Sequence, residues 1–183
     1  MEKAYKLGIT IGRFQVFHKG HQAMIDKAIE LCDIVGVLIG SSQESGTSKN
    51  PFTYEMRESI LKKIYGDRIK IYPLPDIGVG NTSEWGDYVL DTVIERFGEA
   101  PDLLISGKEE RRIDWFDSVK GLLISELYIP KFIDISASKM RDLLVKNEFD
   151  AWKKYCDERL WDSFSEMRKI VLDSQKNTET ASI

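Results

Sequence analysis

Hydrophobic positions along the chain alternate between short continuous runs and longer segments with helical spacing. Four runs stand out, "YKLGITIG" (5–12), "IVGVLIGS" (34–41), "RIKIYPLP" (68–75) and "DLLISG" (102–107). All four segments are predicted to be strands, and the continuous apolar run 34–41 is typical of a strand covered on both faces of a parallel sheet. The segments between them carry apolar positions at helical spacing, over 20–32, 54–66 and 82–98. Glycines at positions 66 and 98 predict the ends of the last two helices.

The C-terminal part of the chain changes in character. One or two short strands are predicted within 122–129 and 132–136, followed by a helix in "SKMRDLL" from residue 138. Residues 149–174 are amphipathic and predict further helix, whereas the polar "QKNTETASI" (175–183) predicts a disordered tail.

The alternation of strands and helices predicts an α/β fold, a Rossmann-like doubly wound parallel sheet with a helical C-terminal extension. With no repeat and no linker-like segment, we expect one domain over residues 1–174, with its core at about 5–145 and C-terminal helices at about 149–174.

Charge and composition narrow the range of partners. The formal net charge of −4 over 183 residues argues against bulk electrostatic binding to nucleic acid or to an anionic membrane. Any phosphate chemistry must then depend on a local cationic cluster. The two cysteines, Cys32 and Cys156, form no CxxC pair, and no leader or long apolar run is evident, so we expect reduced thiols and a cytoplasmic protein.

Both histidines of the chain fall in one stretch, "GRFQVFHKGH" (12–21), directly after the first predicted strand. His18 and His21 lie three positions apart and so share one face of the first turn of the following helix. A helix N-terminus offers free N–H groups and favours phosphate, and Arg13 adds a planar guanidinium suited to phosphate oxygens. A surface accident and part of a metal site are the alternatives, although neither further histidines nor neighbouring cysteines are available as metal ligands.

Four segments together resemble a known family. "GRFQVFHKGH" resembles the HxGH signature of the nucleotidylyltransferase superfamily, and "ISASKMR" (135–141) resembles its ISxTxxR motif. "GSSQESGTSKNPFT" (40–53) and "PLPDIGVGNTSEW" (73–85) resemble segments of the archaeal-type nicotinamide-mononucleotide adenylyltransferases. Val16 stands where proline is usual and Ser138 where threonine is usual, and the segment 106–116 matches the archaeal form poorly.

The resemblance implies transfer of AMP from ATP to the 5′-phosphate of nicotinamide mononucleotide (NMN), giving NAD and pyrophosphate. It implies catalytic roles for His18, His21 and Arg141, and a magnesium ion carried on the ATP phosphates with no metal site in the protein itself. Archaeal-type relatives form oligomers, so a homo-oligomer is expected. The residues that the resemblance assigns to ATP are Gly12, Arg13, Phe14, His18, His21, Lys49, Ser136, Ser138 and Arg141.

For the mononucleotide, the resemblance implies Asp76, Asn81 and Trp85, with the indole of Trp85 stacked on the pyridinium ring. Trp115, Trp152 and Trp161 are expected to serve packing. Other acceptors remain open at this point, namely nicotinate mononucleotide, phosphopantetheine or a cytidylyl-transfer substrate. A nucleotide-binding sensor without turnover is the alternative from outside the enzymes.

Overall fold

A computed structural model of the chain describes residues 2–107, 115–116 and 123–180. Its five strands are β1 (Tyr5–Gly12), β2 (Cys32–Gly40), β3 (Lys70–Leu74), β4 (Leu103–Ser106) and β5 (Ser125–Tyr128). Its α-helices are α1 (Lys19–Leu31), α2 (Tyr54–Tyr65), α3 (Ser83–Phe97), α4 (Ala137–Val145), α5 (Phe149–Trp152) and α6 (Phe164–Thr180).

The five strands form one parallel sheet in the order β3-β2-β1-β4-β5. β1 lies at the centre, where Ile9 is in register with Gly36 on one side and with Leu104 on the other. The chain winds outward from β1 to β3 and then returns to the other side of β1, so the sheet has its switch point between β1 and β4. Parallel doubly wound sheets bind ligands at the carboxyl ends of the strands at this point. The predicted fold class is confirmed.

Helices cover both faces of the sheet, and each face has its own hydrophobic core. Side chains of β2 pack on one face with α1, α2, α4 and α6, in a cluster that includes Val37, Ile25, Leu61 and Met167. Leu7 and Ile9 of β1 point to the other face, where they pack with Val89 and Val93 of α3. Burial on both faces explains why β2 and β4 are largely apolar in sequence.

Side-chain caps fix the starts of the helices. Thr53 accepts a hydrogen bond from Met56 N at the start of α2, and Thr82 accepts one from Trp85 N at the start of α3. Ser136 does the same for Lys139 N at the start of α4. α3 ends at Gly98, whose φ of 80° is a left-handed conformation that glycine adopts without strain. The caps therefore place three helix starts by local chemistry alone.

Of the one or two short strands predicted after β4, the structure describes one, β5, and residues 132–136 form no strand. The rest of the C-terminal part departs from the sequence prediction in two ways. The predicted helical region 149–174 is broken by two 3-10 segments, at 153–155 and 158–163. The prediction of a disordered tail is wrong for residues 175–180, which continue α6; residues 181–183 lie outside the described part.

A tertiary contact explains the longer helix. Ser174 is buried, and the Thr178 hydroxyl accepts a hydrogen bond of 3.0 Å from Ser48 N in the loop between β2 and α2. The last turns of α6 therefore dock on that loop. The polar composition of residues 175–183 gives no sign of this contact, so the sequence alone predicted disorder.

Candidate active site

A cavity of about 700 Å³ lies at the carboxyl ends of β1, β2 and β4. Its wall includes most of the residues that the sequence analysis assigned to a site. These are Gly12, Arg13, Phe14, His18, His21, Ser136, Asp76, Asn81 and Trp85. Lys49, Ser138 and Arg141 are not on the wall as the structure describes it. The β1–α1 loop, the β2–α2 loop and the start of α4 therefore meet at one cavity.

The two histidines are stacked on each other at the start of α1. Their ring centroids are 3.8 Å apart with an interplanar angle of 21°. His18 is the N-cap of α1, because its Nδ1 accepts a hydrogen bond of 3.1 Å from Gly20 N. A neutral imidazole that accepts at Nδ1 carries its proton at Nε2. His18 is thereby set up as an N–H donor beside a helix N-terminus.

Burial keeps both imidazoles uncharged. It lowers the pKa of His18 from 6.5 to about 4, and the positive charge of Lys131 acts in the same direction. It also lowers the pKa of His21 well below 6.5, with the neighbouring His18 contributing. The Nδ1 atom of His21 is buried and has no hydrogen-bond partner among the described residues. An unsatisfied buried nitrogen costs free energy and is a feature found at functional sites.

Three arginines supply the local positive charge that the net charge of −4 makes necessary. Arg13 is on the cavity wall and donates to Asn50 Oδ1 at 3.3 Å. Arg141 donates to Gln15 O and, at 3.2 Å, to Ser138 Oγ. Burial lowers the pKa of Arg57 and of Arg141, and the charge of Arg13 acts on both in the same direction. Within the described ranges, none of the three pairs with a carboxylate.

A lysine that the sequence analysis missed lines the same cavity. Lys131 and Phe132 line the cavity from the loop before α4, and Phe132 is 63% exposed. The ammonium group of Lys131 is 2.8 Å from Asp134 Oδ1, and Lys139 binds the other carboxylate oxygen of Asp134. These two lysines lower the pKa of Asp134 to about 2. Asp134 thus holds Lys131 at the cavity, close enough to His18 for the positive charge to act on its imidazole.

Two tryptophans contribute another part of the cavity wall. Trp85 and Trp115 are in edge-to-face contact, with ring centroids 6.2 Å apart and an interplanar angle of 77°. Trp115 Nε1 donates to Asn81 Oδ1. A Cβ at Gly86 would lie 1.6 Å from Trp115 O, so glycine is required for this close approach of α3. The prediction that Trp115 serves packing is incomplete, because Trp115 is part of the core and of the cavity wall.

Outside this cavity the described residues offer little other chemistry. No group of three or more metal-ligating side chains occurs in the ranges 2–107, 115–116 and 123–180. Cys32 and Cys156 are free and buried, and burial raises their pKa to about 11 and about 12, respectively. No helix in the described part of the chain has the length and hydropathy to cross a membrane.

The chain belongs to the cytidylyltransferase-like family, whose profile matches residues 9–152. The match runs from within β1 to the end of α5 and includes the histidine pair and Arg141.

Among curated proteins, the chain is similar to a nicotinamide-nucleotide adenylyltransferase of Thermococcus onnurineus. The two are 36% identical over 184 residues, which is 95% of this chain and 92% of the relative. It is also 46% identical to the enzyme of that name from Saccharolobus solfataricus over 88 residues, 45% of this chain. That match spans about half of the length of the relative, 50%.

Among solved structures, the fold is similar to that of a bifunctional NMN adenylyltransferase/ADP ribose pyrophosphatase from Francisella tularensis, complexed with AMP and a manganese ion. The TM-score is 0.76 at 21% identity, and the likeness covers 96% of this chain and 53% of that chain. It supports the fold.

Proposed function

We propose that the protein transfers AMP from ATP to the 5′-phosphate of NMN, forming NAD and pyrophosphate. The observation that carries this proposal is the cavity wall, which combines two kinds of surface. The surface around His18 and Arg13 has the N–H donors and cations that phosphates need, and the Trp85–Trp115 corner with Asn81 offers aromatic and polar groups to a base. The names of the curated relatives support the same reaction.

The chemistry requires positioning and charge stabilisation rather than a side-chain nucleophile. An oxygen of the NMN phosphate attacks the α-phosphorus of ATP. The bond from that phosphorus to the bridging oxygen breaks, and pyrophosphate leaves with the electron pair. The attacking oxygen is already anionic near neutral pH, so no side chain has to activate it.

The histidines would act as donors in this reaction. His18 presents its Nε2–H at the α1 N-terminus, and His21 lies stacked behind it. Neutral imidazoles can donate to the phosphate that is being transferred without repelling Arg13. Preorganised donors of this kind stabilise charge that develops in the transition state.

Arg141 would act from the edge of the cavity. Its guanidinium is held against the β1–α1 loop by Gln15 O, within electrostatic reach of Arg13. Bound phosphates would relieve the repulsion between the two cations. Lys49 and Ser138 stay predictions as ATP ligands, since Lys49 is exposed on its loop and Ser138 binds Arg141.

Magnesium would enter as part of the substrate MgATP. Mg²⁺ binds well to phosphate oxygens and needs only one or two protein carboxylates. The manganese ion in the Francisella structure belongs to that protein and supports the use of a divalent cation here.

One acidic side chain on the cavity wall favours an amide over a carboxylate. Asp76 lies on the cavity wall, and its negative charge would repel the carboxylate of nicotinate mononucleotide. The faces of the aromatic rings suit a positively charged pyridinium ring.

The test is pyrophosphate release with MgATP and a panel of acceptors, namely NMN, nicotinate mononucleotide and phosphopantetheine, with CTP replacing ATP in a further arm. We expect the highest kcat/KM with NMN. Faster turnover of another acceptor would reassign the substrate, and ATP binding without pyrophosphate release would favour the sensor. A cytoplasmic location and a homo-oligomer complete the proposal, the latter to be measured by light scattering.

A further inference from the structure

Arg57 is a buried cation whose hydrogen-bond partners among the described residues are all main-chain oxygens. Its side chain is fully buried in α2, with 0% exposure, and it forms no ion pair with a carboxylate in the described part of the chain. Burying an ammonium or guanidinium group is costly, and most buried charges are paired. A guanidinium group that is buried without a carboxylate partner is expected to have a role that a neutral side chain of the same size cannot fill.

The oxygens that Arg57 binds come from the loops that form the cavity. Nη1 donates to Arg13 O at 3.1 Å and to Gly40 O at 2.9 Å, and Nη2 donates to Ser41 O at 3.1 Å. Nε donates to Thr53 O at 3.1 Å. One guanidinium group therefore joins the end of β1, the end of β2 and the start of α2.

These contacts lie directly behind the phosphate end of the cavity. Arg13, Gly40 and Ser41 are all on the cavity wall. The charges of Arg57 and Arg13 are close enough for Arg13 to lower the pKa of Arg57. Gln15 makes a second connection between the same loops, because its side chain exchanges two hydrogen bonds of 2.9 Å with the main chain of Phe52.

We propose that Arg57 is a positioning residue, which fixes the β1–α1 loop relative to the β2–α2 loop and thereby places Arg13 for the phosphates of ATP. Arg57 reaches the substrate only through these loops and through its charge. The planar guanidinium is essential, since several donors in one plane are needed to bind carbonyls from three segments at once. The proposal builds on the proposed function, which identifies the phosphate ligand as ATP.

The experiment compares Arg57→Lys with the wild type and with the control Arg68→Met. Arg68 follows α2 and also donates to main-chain oxygens, Tyr65 O and Ile64 O, but it contacts neither loop. Lysine keeps the charge and most of the length of the side chain and loses the planar set of donors. Circular dichroism and melting curves verify that each variant is folded at the assay temperature.

For Arg57→Lys we expect kcat/KM for ATP to fall about a hundredfold, the size of effect that a small misplacement of catalytic groups produces. The Kd of ATP should rise about tenfold. The Kd of NMN should change less than twofold, because Asn81 and Trp85 belong to the β3–α3 segment, which Arg57 does not bind. Arg68→Met should match the wild type in all three quantities.

Equal loss of ATP and NMN binding in Arg57→Lys, or wild-type kinetics with only a lower melting temperature, would overturn the proposal. So would failure of Arg57→Lys to fold, since Arg57 would then serve the fold alone. The proposed role of Arg57 and the proposed function of the protein can be refuted independently. A wild type that binds ATP but makes no NAD refutes the function only, and the comparison of ATP affinities still tests Arg57.

Discussion

His18 makes the stability of the protein depend on pH in a way that can be measured. Its imidazole is 7% exposed and caps α1 through Nδ1. We consider His18→Asn, because asparagine is a good N-cap and does not titrate. The variant keeps the cap and removes the buried imidazole.

The expected change in the free energy of unfolding follows from two pKa values of His18. These are the ordinary value of 6.5 and the value of about 4 in the folded protein. Well above pH 6.5 the imidazole is neutral in the folded and unfolded states, so His18 adds no pH dependence. Below pH 6.5 the unfolded chain takes up a proton that the fold excludes, and the free energy of unfolding falls as the pH falls towards 4. At pH 5 the loss attributable to His18 amounts to about 2 kcal/mol.

The assay is urea unfolding at 25 °C, followed by tryptophan fluorescence, at several pH values from 8 to 5. The difference in free energy of unfolding between the wild type and His18→Asn should be constant above pH 7. It should then shift by about 2 kcal/mol in favour of the variant by pH 5. His21→Asn provides the matched curve for the other imidazole of the stack. Parallel curves for wild type and His18→Asn down to pH 5 would refute a buried, neutral His18.

Three further substitutions test the candidate site. His21→Ala should lower kcat about 100- to 1000-fold and leave the melting temperature nearly unchanged, as measured by pyrophosphate release and thermal unfolding; near-normal turnover would remove His21 from catalysis. Arg141→Lys should raise the KM for ATP and lower kcat, because lysine cannot bind Gln15 O and phosphate oxygens in the same geometry. Wild-type kinetics in this variant would place Arg141 in a supporting role. Trp85→Ala should weaken NMN binding about thirtyfold in calorimetric titrations and leave ATP binding little changed. Trp85→Phe should recover part of the lost NMN affinity. Equal weakening of NMN and ATP binding would contradict stacking of Trp85 on the pyridinium ring.

The predictable part of the fold and site depends on short-range signals. The centre of the sheet could be predicted because β2 and β4, which are buried on both faces, are largely apolar in sequence. A helix start is also a local feature, because the capping residue and the turn that follows it are adjacent in sequence. The histidine pair belongs to this group, since strand, loop and helix N-terminus follow one another within residues 5–21.

The remaining features depend on contacts between distant segments. Arg57 looks like a solvent-facing arginine in "YEMRESILKK", and its carbonyl partners come from segments up to 44 residues away. Trp115 is placed on the cavity by α3, and Lys131 by the loop before α4. Residues 175–180 are helical because the Thr178 hydroxyl accepts a hydrogen bond from Ser48 N, 130 positions earlier in the chain. Composition and periodicity carry no information on such pairings.

A single cavity that reaches from the histidines to the tryptophans also affects how the reaction would finish. The product dinucleotide would keep the contacts that two separate substrates made, and its halves, now covalently joined, would have a high effective concentration for each other's subsites. One half could not diffuse away while the other stayed bound. Release of the product would then be slower than release of either substrate, and rapid mixing should reveal a burst of the first turnover ahead of a slower steady state.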